Sequence, residues 1–217
     1  MNSITELNLS LHPNNQIEIL SHEEFKQRIL KPLNGYSPTI LEQVVAKITK
    51  CENIGDGYRF EVSKTKKKKI IEVHTNGRIF INQNRYDEHF DSNSGRYRYN
   101  LHGSSVYVEK LIGIGYLFEI NEFPSSLGNL VVNVMDCSAN YNTAEQLGIK
   151  QDFSLDNLEF TLNTRNSSHG KLCTALFKRI GKVYRTSAND LELIQAIQLK
   201  DDKYIINYLD EHCVRIK

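Results

Sequence analysis

Apolar and polar positions follow two different periods along this chain, and the changes of period mark out its parts. Met1–Gln16 is polar and Asn-rich, with His12-Pro13-Asn14-Asn15, and reads as a loose surface tail. Ser21-His22-Glu23-Glu24 is an N-cap followed by acids, which predicts a helix from His22 to Leu30 that Pro32 and Gly35 end. After Ser37-Pro38, the residues Ile40, Leu41, Val44, Val45 and Ile48 recur at helical spacing and predict a second helix with a core-facing stripe. Its basic residues are Lys47 and Lys50, too few for a helix that reads DNA. Gly55–Gly57 closes this first unit.

From Tyr58 the period becomes two. Tyr58–Ser63 and Lys69–His74 predict strands joined by a Lys64–Lys68 turn, and Asn76-Gly77 predicts a two-residue hairpin into a strand at Arg78–Asn82. Arg85–Asn93 reads as a polar loop. In Arg96-Tyr97-Arg98-Tyr99-Asn100 basic and aromatic residues alternate, so a strand there puts Arg96, Arg98 and Asn100 on one face and Tyr97, Tyr99 and Leu101 on the other. His102–Ser105 turns the chain and Val106–Val108 returns it.

Helical spacing comes back at Tyr107–Phe118, where Gly113 and Gly115 weaken the helix but permit close approach. Strands are expected at Leu130–Val134 and Leu158–Leu162, a helical turn at Thr143–Leu147, and a helix from Arg165 to Lys171 capped by Asn163 or Thr164. Leu172–Arg185 is a basic strand or extension. Leu191, Leu193, Ile194, Ile197 and Leu199, then Ile205, Ile206 and Leu209, predict two C-terminal helices joined at Lys200–Asp202. That pair is net acidic, a poor groove reader, and is expected to pack or self-associate.

Net charge is +1 over 217 residues, but it is unevenly spread. Ser63–Arg98 holds nine Lys/Arg against four acids, and Asn163–Arg185 holds six with none, which suggests a polyanion partner. The four Cys at 51, 137, 173 and 213 have no metal-ligand spacing. With no signal peptide or long apolar span in view, reduced thiols in the cytoplasm of a bacterial host cell are the expectation.

The stretch Val106–Gly170, about a third of the chain, resembles the ββα-metal motif of HNH homing endonucleases carried by phages. That family reads roughly V-H-R-L-V, then [ND]-H-x-D-G-N, then L-D-N-L-E-[WF]-x-T, then E-N-x-x-H. Here Val108–Ile112 matches the first piece with Glu109 in place of His. Val132–Asp136 matches the second with Asn133 and Asp136 kept, but Val134 stands at the catalytic His. Leu155–Phe160 matches the third, Asn157 included, and Asn166 and His169 match the fourth with Arg165 in place of Glu. Leu-Asp-Asn-Leu-Glu-Phe with Asn166 nine residues after Asn157 is the most specific part. E-V-H-T-N-G-R-I-F also resembles a small V-S-N-x-G-R-[VI] module found ahead of such motifs.

The resemblance implies an α+β fold: a small antiparallel sheet with a packing helix, then a degenerate ββα-metal (HNH-like) motif, flanked by helical N- and C-terminal segments. The expected divisions are 1–57, 58–105, 106–186 and 187–217. It also implies a frame that handles DNA. In the family an imidazole deprotonates the attacking water beside a divalent cation, and losing a general base costs ~10²–10⁴ in rate. The degenerate active site comprises Asn133, Val134, Asn157, Asn166 and His169. It has no catalytic residue and at most a weak Mg²⁺ site at Asn133 and Asn166, with His169 hydrogen-bonded inside the old pocket. The expected function is a sequence-specific double-stranded-DNA-binding protein, a transcriptional repressor of a phage or phage satellite. Phosphate contacts fall to Lys64, Lys66, Lys67, Lys68, Lys69, Arg165, Lys171, Lys178, Arg179 and Lys182, and base contacts to Arg78, Arg96, Arg98 and Asn100. The alternatives are an active endonuclease with a displaced base at His102, Glu109 or His169, and a protein-binding inhibitor of a host factor.

Overall fold

The computed structural model describes residues 1–32, 35–64, 67–86, 89–91, 96–101, 104–128, 130–135, 152–163, 183–185, 191–200, 203–208 and 213–216. At the N-terminus, local capping decides where helices begin. Ser3, Ser21 and Thr39 cap α1 (Ile4–Leu9), α2 (His22–Leu30) and α3 (Ile40–Val45), and Glu6, Glu24 and Glu42 each return a hydrogen bond to the cap backbone. Such a capping box satisfies two otherwise orphaned amides. Helix α2 spans the residues its cap and acids predict. The expected loose tail is instead α1, with Ile4 and Leu7 buried. Two apolar residues three apart in a polar stretch are a weak signal until something covers them.

The second expected helix ends early. Ile48 opens a strand, β2 (Ile48–Asn53), because Ile48 and Thr49 are β-branched and a partner strand is present. With β3 (Gly57–Lys64), β4 (Lys67–His74), β5 (Ile79–Ile81) and β6 (Asn84–Tyr86) it makes a five-stranded antiparallel meander in chain order. Tyr58, Phe60 and Val62 face the core from β3, and Ile71 and Val73 from β4, as alternation requires. The turn after His74 holds three residues, not the expected two. The Gly77 amide donates to the His74 carbonyl, and Gly77 has φ +88°, a left-handed conformation that glycine adopts without strain.

The expected loop at Arg85–Asn93 contributes β6 and β7 (His89–Asp91). Strand β7 joins β8 (Arg96–Leu101) and β9 (Ser104–Tyr107) in a three-stranded sheet. Tyr99 is 1% exposed, so this residue of β8 packs inward as the alternation requires. Next, α4 (Val108–Ile120) lies across the meander with Leu111, Ile112, Ile114 and Leu117 buried. Its left-handed C-cap is Asn121. The short strand β1 (Ile19–Leu20) pairs with β10 (Phe123–Pro124), and β11 (Val131–Val134) pairs with β12 (Leu158–Thr161). Helix α4, the meander and this hairpin share one hydrophobic core. No described helix is long and apolar enough to cross a membrane.

The C-terminal helical pair is corrected by the structure. β13 (Val183–Arg185), β14 (Leu191–Lys200), β15 (Lys203–Tyr208) and β16 (Cys213–Ile216) form an antiparallel sheet in chain order. Lys200 pairs with Lys203 around Asp201-Asp202, and a register shift lies between Ile194 and Ala196. Leu191, Leu193, Ile197 and Leu199 alternate in fact. Ile194, beside that irregularity, breaks the alternation and mimics a helical stripe. The molecule is thus mixed α+β, with small antiparallel sheets and few helices among the described residues.

Candidate nucleic-acid interface

Antiparallel register places the hairpin residues two by two. Val132 pairs with Phe160, Val134 with Leu158, and Asn133 with Glu159. The first two pairs face α4. A Cβ on Gly113 would meet Val132 and Phe160, and the Tyr116 and Phe160 ring centres lie 6.3 Å apart. Val134 is 3% exposed, so the position that the resemblance gives to a general base is an aliphatic core position. Asn133 is 1% exposed, and its amide nitrogen donates to Glu159 at 2.8 Å. Asn157 secures the turn before β12: its side chain donates to the Asp152 carbonyl at 2.8 Å, and its own carbonyl accepts from the Met135 amide at 2.9 Å. Glu109 on α4 is buried as well.

A divalent cation needs several oxygen ligands, preferably carboxylates. Among the described residues, Asn133 brings one neutral amide to this position, and its nitrogen donates to Glu159. Among the described residues no group of three or more His, Cys, Asp or Glu stands together. Asn166 and His169 lie outside the described residues.

The approach to β11 is held from two sides. Glu42 accepts from the Leu127 amide and the Ser126 hydroxyl at 2.9 Å each, from the Tyr36 hydroxyl at 2.8 Å, and from Thr39. Lys110 of α4 donates to the Leu127 carbonyl at 3.0 Å and to the Leu130 carbonyl. Burial pushes the Lys110 ammonium down to about 8, against a smaller upward pull from Glu42. From this follows an alkaline signature. Above pH 8 the unfolded chain still holds the Lys110 proton while the folded chain releases it, so raising the pH favours the fold. Between pH 8 and about 9.5, before tyrosines ionise, the unaltered protein is expected to gain stability relative to Lys110→Met. Denaturant midpoints at the two pH values check this, and parallel changes in both proteins refute it.

The basic residues fall into distinct settings. Lys68 is largely exposed and pairs with Glu61 at 3.1 Å. Lys69 faces inward, its ammonium 3.1 Å from the Tyr99 hydroxyl and 5.8 Å from that ring's centre. Arg78 and Asn100 are exposed and Arg98 is half-buried. Lys64, Lys67 and Arg96 lie in the backbone of β3, β4 and β8. Lys66, His102, Arg165, Lys171, Lys178, Arg179 and Lys182 lie outside the described residues. The structure therefore brings Asn133, Val134 and Asn157 into one hairpin, while Lys68, Lys69 and Arg78 occupy three different environments of the meander.

No family model, curated protein or solved structure matches the chain. Two sets of residues escape sequence reasoning. Glu42 is the capping-box acid of α3, and nothing local shows that Ser126 and Leu127 will reach it. Arg85 reads as a loop residue, yet it sits in β6 directly across from Phe80.

Proposed function

We propose that this chain is a sequence-specific duplex-DNA-binding protein, a transcriptional repressor built on an HNH homing-endonuclease scaffold that has lost cleavage. The observation that carries the proposal is Val134: it pairs with Leu158 inside the core, where neither residue can accept a proton. The Asn133 amide, turned to Glu159, supports the same reading, since it offers a metal far less than a carboxylate would. A scaffold that must find a long site before cutting retains the means to hold it when cutting is gone. A held site excludes other proteins.

Selection of bound fragments from a genomic duplex library, without divalent metal, tests the proposal. An enriched motif is expected, bound with an affinity that falls by ~10³–10⁵ between about 50 and 200 mM salt if 6–10 phosphates are contacted. Supercoiled plasmid and the selected site are expected to stay intact with Mg²⁺ or Mn²⁺. Nicked or linear product that copurifies with the protein would revive the nuclease, and a library without enrichment would end the claim of sequence specificity.

A further inference from the structure

The outer face of the five-stranded meander is electrically divided. On β2, β3 and β4 three cations have carboxylate partners: Lys50 pairs with Glu52, Arg59 with Glu72 and, more loosely, Glu52, and Lys68 with Glu61. At β5 and β6 the pattern stops. Phe80 faces outward, since its neighbours Ile79 and Ile81 point to the core side and it pairs with Glu72. Directly paired residues share a face, so Arg85, the partner of Phe80 on β6, stands beside it. Arg78, two residues before Phe80 and opposite His74, lies on the same side. Both arginines are exposed, and neither forms an ion pair with a described carboxylate. The adjacent Asp56 is committed to His74 Nδ1 at 2.9 Å, and the His74 ring meets the Phe80 ring edge-on with centres 5.3 Å apart.

We infer that the β5–β6 edge, through Arg78, Phe80 and Arg85, is the strip on which the meander holds the sugar-phosphate backbone of duplex DNA. The inference rests on the DNA-binding reading above and deepens it. Two guanidiniums flanking one apolar ring match the chemistry of a backbone, in which phosphates alternate with apolar sugar edges. Arginine suits phosphate because its planar fork donates two parallel hydrogen bonds. β6 is the edge strand of the five-stranded sheet, so Arg85 is open to an approaching duplex, and the carboxylate across from Phe80, Glu72, is already paired with Arg59. The assignment separates Arg78 and Arg85 from Lys68, whose charge Glu61 offsets, and from Lys69, whose ammonium is turned inward.

The test uses the full chain and a labelled 30-base-pair duplex of mixed sequence, titrated by fluorescence anisotropy across a series of salt concentrations. Arg78→Gln with Arg85→Gln is expected to lower affinity by roughly tenfold or more and to reduce the slope of log affinity against log salt by about two. Arg78→Glu with Arg85→Glu should abolish measurable binding. Lys50→Gln with Glu52→Gln removes a matched pair and should leave the slope unchanged. Thermal melts confirm that each variant is folded. If the unaltered protein binds the duplex and the double Arg→Gln variant keeps the same slope, this strip is wrong and the DNA reading stands. If the unaltered protein does not bind at all, both fall.

Discussion

Glu42→Ala is expected to cost about 3–5 kcal/mol of folding stability, the range for removing one partner from a buried charged network. Glu42 is 1% exposed and gathers donors from three places: its own cap residue Thr39, Tyr36 just upstream, and Ser126 with Leu127 far along the chain. Alanine removes every acceptor at once. The Leu127 amide is left buried without its partner, and Lys110 loses its nearby anion. Each stranded buried donor costs ~1–3 kcal/mol. Glu42→Gln retains an acceptor and should cost less. The network also has a pH signature. Burial pushes the Glu42 carboxyl up, but the hydrogen bonds from Thr39, Tyr36 and Ser126 together pull it below its ordinary value. The unfolded chain then takes up the proton first as acid is added. The stability that Glu42 supplies is therefore present above the unfolded carboxyl value and lost as the pH falls through the folded one. Urea midpoints at neutral and acid pH measure both effects. A loss below about 1 kcal/mol for Glu42→Ala would mean that water replaces the carboxylate, and that the loop before β11 is not held through it.

The second large effect reverses a general rule. Glycine to alanine inside a helix ordinarily stabilises by roughly 1 kcal/mol. Gly115→Ala in α4 is expected instead to destabilise by about 1–3 kcal/mol, the usual cost of overpacking a filled core. A Cβ on Gly115 would fall well inside contact distance of the Tyr58 ring. That ring cannot swing aside freely, because it is buried and its hydroxyl donates to Glu119 of the same helix at 2.7 Å. The expected relief is specific: with Tyr58→Ala as background, Gly115→Ala should become neutral or stabilising. Denaturation of the four proteins in this cycle reads the coupling directly. Purely additive changes would show that α4 shifts away from the sheet rather than pressing on Tyr58.

The glycines show how far sequence reasoning reaches. Gly113 and Gly115 in a helical stretch signal close approach, and close approach is what the structure has at both. What approaches is invisible from the sequence. Gly113 faces Val132 and Phe160 of the hairpin, and Gly115 faces Tyr58 of the meander. Strand β8 was similarly legible, because alternation of Arg and Tyr dictates two faces and the apolar one must be covered. The edges of elements were less so. Ile48 fits a helical stripe by spacing, and the neighbouring strand β3 recruits it instead.

At the candidate site, Val134 and Asn133 could be named from residue identity alone. Their burial could not. It depends on α4 packing against Val132 and Phe160 of the hairpin and on the cross-strand register that sets Glu159 beside Asn133. The division of the meander's outer face into matched and unmatched cations was wholly hidden, because it arises from cross-strand register between residues many positions apart.

By itself the sequence determined the periods, the caps and the chemistry available: α2 with its capping acids, the strands at Tyr58–Ser63 and Leu158–Leu162, and a valine that cannot move a proton. These are properties of single residues and their near neighbours, which the chain carries before it folds. Tertiary structure alone decided that Leu191–Lys200 pairs as a strand, that Glu42 anchors a loop, and that Arg85 stands beside Phe80. Each of those outcomes depends on which distant backbone or side chain is present to satisfy a hydrogen bond or cover an apolar face, and only the assembled fold provides that partner.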